Sequence, residues 1–177
     1  VVRTGGGSTL DAQAALLIPA FANEPLAANP DGVAELAAAA ASLLAKPDAK
    51  PVPAPPAVAA EISGISYALS DNPLGLQAIA VAFVGGDEAT LTIRTAAGAD
   101  VVAVGLDGVP RLSSGTFGLP RALQGGWSGN TFELLYDEVA NINRFGFTLS
   151  GSAKGISLQV QELSGTGLMA SMTGTPE

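Results

Sequence analysis

Trp127-Ser128-Gly129-Asn130-Thr131-Phe132-Glu133-Leu134-Leu135-Tyr136, followed by Asn143-Arg144-Phe145-Gly146-Phe147-Thr148-Leu149 and Ile156-Ser157-Leu158-Gln159-Val160, decides the fold of this chain. Phe132, Leu134 and Tyr136 fall on one parity. Phe145, Phe147 and Leu149 do the same, and so do Ile156, Leu158 and Val160. Glu133, Arg144, Thr148, Ser157 and Gln159 take the opposite parity. A period of two in three successive segments, interrupted at Asp137-Glu138 and at Gly151-Ser152-Ala153-Lys154-Gly155, predicts antiparallel strands with one face buried. Trp127, Phe132, Tyr136, Phe145 and Phe147 make this the densest part of the core. Gly146, between two phenylalanines, is the one place where a bulge would break the parity.

The same alternation extends upstream. Ile65, Tyr67 and Leu69 share a face, and Asp71-Asn72-Pro73 turns the chain. Residues 76–84 are apolar on both parities, which predicts a strand covered on both sides. Leu91 and Ile93 alternate with Thr90, Thr92 and Arg94 after the turn Gly85-Gly86-Asp87. Further strands are expected at 100–104, 109–112, 119–127 and 167–172. Roughly ten short strands at a spacing of about 8–12 residues, with no helix between them, give a sandwich or a barrel. The short turns favour an up-and-down barrel.

Ahead of this β-region the pattern changes. Val1 to Thr4 reads as a short strand ending at Gly5-Gly6-Gly7. Ser8 with Asp11 resembles a capping box, and Leu10, Ala14, Leu17, Ile18 and Phe21 recur at helical spacing until Pro19 ends the helix near Leu17. A second helix starts at the cap Asn29, with Pro30 at its first position and Asp31 and Glu35 near its positive end. Its stripe is Val33, Leu36, Ala40, Leu43 and Leu44, and Pro47 closes it. Residues 47–60 contain Pro47, Pro51, Pro53, Pro55 and Pro56 and read as a semi-rigid extended linker. The expected organisation is a strand and two helices in 1–46, a linker in 47–60 and a β-barrel in 61–177.

Composition removes whole classes of chemistry. The chain has 177 residues, 47% hydrophobic and 14% charged, with a net charge of −8 and with no His and no Cys. Without His or Cys there is no Ser-His-Asp triad, no thiol nucleophile, no disulfide and no His- or thiolate-held metal. Neither a metal nor any other cofactor is expected. The bases form no cluster, which argues against nucleic acid. No stretch reaches the ~18–20 apolar residues of a helical membrane span. The run Gly5-Gly6-Gly7 lacks the Gly-Lys-Ser/Thr ending of a phosphate loop and reads as a plain turn. The acidic pairs Asp87-Glu88 and Asp137-Glu138 sit at expected turns, where solvated carboxylates are ordinary; neighbouring strand residues point to opposite faces and suit paired-carboxylate catalysis poorly. The candidate ligand-binding residues are Tyr136, Asn141, Asn143 and Arg144, a polar cluster beside aromatics that reads first as a hydrogen-bonded turn and second as a pocket mouth, together with Trp127, which either stacks on Arg144 across one barrel end or is a plain core tryptophan with Arg144 exposed. No residue is expected to be catalytic.

Two stretches carry a resemblance. Tyr136-Asp137-Glu138-Val139-Ala140-Asn141-Ile142-Asn143-Arg144-Phe145-Gly146-Phe147-Thr148-Leu149, and Glu61-Ile62-Ser63-Gly64-Ile65-Ser66-Tyr67 with Asn72-Pro73-Leu74-Gly75-Leu76, resemble the C-terminal domain of bacterial serine hydrolases of the β-lactamase and penicillin-binding-protein type. In that family a lipocalin-like β-barrel follows the catalytic domain. The resemblance therefore implies an antiparallel lipocalin-like barrel of about 8–10 strands, preceded by a short strand and two α-helices. It implies a C-terminal accessory piece of a parent enzyme acting on amide or ester bonds, partnered with that parent's catalytic domain, in a periplasmic or secreted setting. Val1-Val2-Arg3-Thr4-Gly5-Gly6, the following Leu16-Leu17-Ile18-Pro19-Ala20, and Glu24-Pro25-Leu26 would be the end of the catalytic domain. The family's Ser-x-x-Lys nucleophile is absent, and Ser128-Gly129-Asn130 and Arg3-Thr4-Gly5 match the other motifs by letters only. The chain alone is thus not expected to catalyse. The alternative reading is a free-standing lipocalin-like module for a small hydrophobic ligand, distinguished by small inward residues at one end instead of bulk throughout.

Overall fold

A computed structural model describes residues 14–15, 17–21, 27–115, 118–139, 143–165 and 167–177. The expected first strand, the glycine run, the Ser8–Asp11 cap, Glu24-Pro25-Leu26 and Asn141 lie outside the described residues. The chain divides into two compact units, Val1–Pro47 and Asp48–Glu177.

In the first unit a 3-10 turn, Ile18–Ala20, contains Pro19 and gives way to extended backbone at Phe21. Helix α1 (Pro30–Leu44) starts where its chemistry dictates. The Asn29 side chain accepts a hydrogen bond from the Gly32 N–H at 2.9 Å, Pro30 takes the first helical position and Asp31 stands in the first turn. Val33 and Leu36 of its apolar stripe are exposed. The run of alanines sustains a helix through propensity instead of burial.

The second unit is a β-barrel. Its strands are β1 (Tyr67–Leu69), β2 (Leu76–Ala82), β3 (Glu88–Thr95), β4 (Gly98–Gly105), β5 (Arg111–Ser114), β6 (Pro120–Ser128), β7 (Thr131–Asp137), β8 (Arg144–Ser152), β9 (Gly155–Glu162) and β10 (Met169–Pro176). They form one sheet in the order β4-β3-β2-β1-β10-β9-β8-β7-β6-β5. Chain neighbours pair antiparallel except β4 and β5, and β1 pairs with β10. A single parallel pairing, Gly105 with Gln124, joins β4 to β6 and closes the ring. The lipocalin-like barrel expected from the sequence is thus the fold. Gly146 stays in the ladder opposite Leu135, so no bulge disturbs β8.

Parity fixes the interior. Phe132, Leu134, Phe147, Leu149, Ile156, Leu158 and Val160 join one core with Leu91, Val102, Val104 and Leu123, while Glu133, Arg144, Thr148, Ser157 and Gln159 stand outside, exposed. Helix α2 (Ala57–Ile62) lies partly in the stretch read as linker, with Ala59 and Ile62 buried. Proline followed by Ala-Val-Ala-Ala is a helix-starting sequence, and the apolar residues give this short helix something to bury.

Candidate functional site

The two barrel ends are built differently. At the end carrying the β6–β7 and β8–β9 turns, Phe83, Trp127 and Phe132 pack ring against ring, with centroids 5.0–5.3 Å apart. Ile62 of α2 belongs to the same core, and the Tyr67 hydroxyl donates to the Ser152 carbonyl at 2.9 Å. This end is filled. A cavity of about 340 Å³ remains outside the aromatic cluster, between residues 52–55 and Phe83, Leu106 and Trp127. The indole Nε1 of Trp127 is buried there without a hydrogen-bond partner among the described residues.

The opposite end is open. A cavity of about 540 Å³ is walled by Leu76, Ile93, Phe145, Phe147 and Val160, with Thr95, Asp100, Tyr136 and Glu138 as its polar members. Inward residues of β2, β3, β7, β8 and β9 meet here. The volume falls within the ~300–1,000 Å³ of small-molecule sites, and mostly apolar walls with few polar groups are their usual chemistry. A groove of about 580 Å³ elsewhere, where Gly125, Gly126 and Gly146 leave the wall bare, is wider and lined by more polar residues, among them Lys50, Gln124, Ser128, Glu133 and Thr148.

Charge at the open end is organised by Arg121 of β6, whose parity is that of Leu123 and which is only 7% exposed. Its Nη2 donates to Asp100 Oδ1 of β4 at 2.9 Å, Nη1 reaches the other carboxylate oxygen, Nε donates to Ser113 Oγ at 2.9 Å, and Nη1 also donates to the Tyr136 hydroxyl at 3.2 Å. The guanidinium lies 5.8 Å from the centre of the Tyr136 ring. The Asp100 bond raises the arginine's pKa further against the opposing effect of burial, and the same bond holds the Asp100 carboxyl below the usual carboxylate range. This pair also bridges β4 and β6, where the ladder is reduced to one pairing. Near the other end of that seam Arg111 does a similar job, donating to Asp107 (3.0 Å), Glu88 (2.5 Å) and Asp87 (2.8 Å). Asp87 and Glu88, read as solvated turn residues, are exposed and also partner this arginine.

The residues singled out from the sequence separate. Tyr136 lines the open end. Asn143 is on its rim, donating to Glu138 Oε2 at 3.2 Å. Arg144 points outward, half exposed, and its Nε lies 3.6 Å from Asp137 Oδ2. Trp127 is at the filled end, and Asn141 lies outside the described residues. Of the two readings of Trp127 and Arg144, the stack does not form and the core tryptophan with an exposed arginine is found: Trp127 pairs with Phe132 and Arg144 with Asp137, five residues along β7, or about 17 Å. Their side chains also take opposite faces. The cation–π pair of the barrel is Arg121 with Tyr136. Arg121 and Asp100 were missed, although Arg121, Leu123 and Gly125 share the inward parity of one run.

Among the described residues no group of three or more His, Cys, Asp or Glu could hold a metal, and no helix is long and apolar enough to cross a membrane.

No family model matches the chain, and no curated protein does. Solved structures do. The chain is similar to the fatty-acid-binding protein of Drosophila melanogaster brain tissue, at 12% identity and a TM-score of 0.50, over 64% of this chain and 98% of that one. It is similar to Caenorhabditis elegans lipid binding protein 8 at 10% identity and a TM-score of 0.52, over 67% and 96%. A fatty acid transporter, REP1-NXSQ, matches at 7% identity and a TM-score of 0.50, over 67% and 97%. At such identities the likeness is one of fold. It corrects the resemblance to a β-lactamase-type serine hydrolase: these solved structures are of fatty-acid- and lipid-binding proteins, and no family model or curated protein ties the chain to a hydrolase. The reading of this chain as that enzyme's C-terminal piece, with its catalytic domain as partner, falls with it.

Proposed function

We propose that the barrel binds a small hydrophobic ligand in its open end, with the apolar chain against Leu76, Ile93, Phe145 and Val160 and the polar head near Tyr136 and Asp100. The observation that carries this reading is the asymmetry of the interior. One end is filled by Phe83, Trp127, Phe132 and α2, whereas the other opens into a cavity of about 540 Å³ with mostly apolar walls. A barrel serving only as scaffold gains nothing by leaving that space, because unfilled volume costs packing energy. Neighbours of this fold that are named for fatty-acid and lipid binding support the same direction.

The test is fluorescence titration with an anthroyloxy-labelled long-chain probe. Ile93→Trp places an indole inside the cavity and is expected to weaken binding about tenfold or more, whereas Ser157→Trp on the outer face leaves it unchanged. Equal affinity in both variants would remove the open end as the site.

A further inference from the structure

We propose that this end selects amphiphiles with an uncharged, hydroxyl-bearing head over carboxylates, and that Asp100 makes the selection by occupying the seat a ligand carboxylate would take. The inference rests on the ligand-binding reading above.

A ligand carboxylate seated here in preference to water needs a cation with donors to spare, and a buried one binds it most strongly. Among the described residues Arg121 is the one Lys or Arg with inward parity at this end. Arg94 faces out to Glu177, Arg144 faces out to Asp137, and Arg111 serves the other end of the seam. Arg121 is already engaged. Its two terminal nitrogens hold the Asp100 carboxylate in the fork geometry that a fatty-acid head would need, Nε is on Ser113, and Nη1 also reaches Tyr136. The protein thus carries its own carboxylate in that position. Asp100 is tethered to β4, so it competes at an effective concentration of about millimolar or more, against a ligand present at far lower concentration. Displacing it would also unlatch the β4–β6 seam. The described lining residues offer no second Lys or Arg to replace Arg121 as the partner of a ligand carboxylate.

A hydroxyl head meets the opposite situation. The Asp100 side chain is 51% exposed, and a carboxylate has about four lone-pair sites, of which Arg121 uses two. It can accept from a ligand O–H without leaving Arg121, and the Tyr136 hydroxyl lies beside it through their shared Arg121 contact. Such a head is recognised by groups already in place, at no cost in broken ion pairs.

The experiment titrates the full chain at neutral pH with anthroyloxy-labelled stearic acid and with the matching labelled stearyl alcohol. The alcohol is expected to bind about tenfold tighter or more. In Asp100→Asn the acid-to-alcohol affinity ratio is expected to rise by at least about tenfold, because the competing charge is gone and Arg121 is freed. Acid binding as tightly as alcohol to the wild-type chain overturns the inference without needing any variant to fold, and leaves the ligand-binding reading standing. A folded Asp100→Asn chain with an unchanged ratio overturns it too. A labelled stearyl amine that binds tighter than the alcohol would overturn the uncharged head. Binding of none of these probes, by wild type or variant, would remove the ligand-binding reading itself.

Discussion

Three substitutions on adjoining strands, Phe132→Ala, Phe147→Ala and Thr148→Ala, measure both the strand parity and the opening of one barrel end. Phe132 is 2% exposed and touches the rings of Phe83 and Trp127 at 5.0 and 5.3 Å. Its removal leaves a void enclosed on every side, so the cost belongs at the upper end of the range for such truncations, about 4–5 kcal/mol. Phe147 is also buried, at 9%, but its ring faces the 540 Å³ cavity. Truncation there enlarges an existing open space instead of creating a closed one, so the void contributes less and the cost falls to about 3 kcal/mol. Thr148 is exposed on the outer face and should change stability by about half a kcal/mol or less. The assay is urea denaturation of the 177-residue chain, comparing midpoints at constant slope. The ordering matters more than any single value. If Phe147→Ala proved as costly as Phe132→Ala, the cavity at the Tyr136 end would be closed and packed. If Thr148→Ala were the costliest, the register of β8 would be inverted, since a slip of one residue exchanges the two faces.

Other consequences are as direct. A Cβ on Gly125 would lie 2.8 Å from the Glu133 carbonyl oxygen and from the Phe132 ring, whereas one on Gly126 meets nothing within 4 Å; Gly125→Ala should cost about 1–3 kcal/mol by denaturation and Gly126→Ala much less. Asp100, Asp107 and Glu177 are held below their ordinary pKa values of 3.8, 3.8 and 4.5 by hydrogen bonds from Arg121, Arg111 and Arg94 respectively. Their folded pKa values lie under the unfolded ones, so their stabilisation is complete above those ordinary values and is lost as pH falls through and below them. The urea midpoint should therefore drop between about pH 5 and pH 2, with a shallower drop in Asp100→Asn. Trp127 is the chain's one tryptophan and lies at the filled end; an unlabelled long-chain alcohol bound at Tyr136 should leave its emission unchanged, and a shift would instead place the ligand against residues 52–55.

The β-architecture was legible because alternation is a local signal. Phe132-Glu133-Leu134 and Ile156-Ser157-Leu158 declare both strand and face without knowledge of their partners, and the short turns order them into a meander. Helix α2 was hidden by the prolines before it, since 47–60 reads as extended until Ala59 and Ile62 find a core to enter. The hydrolase resemblance rested on the run between Tyr136 and Leu149, which holds the end of β7 and most of β8, and on residues 61–67 with 72–76, which flank β1. Alternating residues about a polar turn are what any buried hairpin demands, so likeness there reports strand geometry and not descent.

The electrostatic core of the site was illegible for a different reason. On β4 the inward series runs Asp100, Val102, Val104, and on β6 it runs Arg121, Leu123, Gly125. Each series opens on a charge. Taken singly, each charge looks like a misplaced residue at the edge of an apolar face, to be read as a strand end. Taken together they are complementary, but β4 and β6 share only the pairing of Gly105 with Gln124, a contact that no alternation pattern specifies. The pair can be recognised only once the ring is closed, and it helps to close the ring. A buried arginine tolerates its position because Asp100 is there, and Asp100 stands at a solvent-facing edge where it can be reached from outside. The same two residues thus latch the seam and border the mouth of the cavity, so under the proposed function ligand choice and barrel closure would be set by one ion pair.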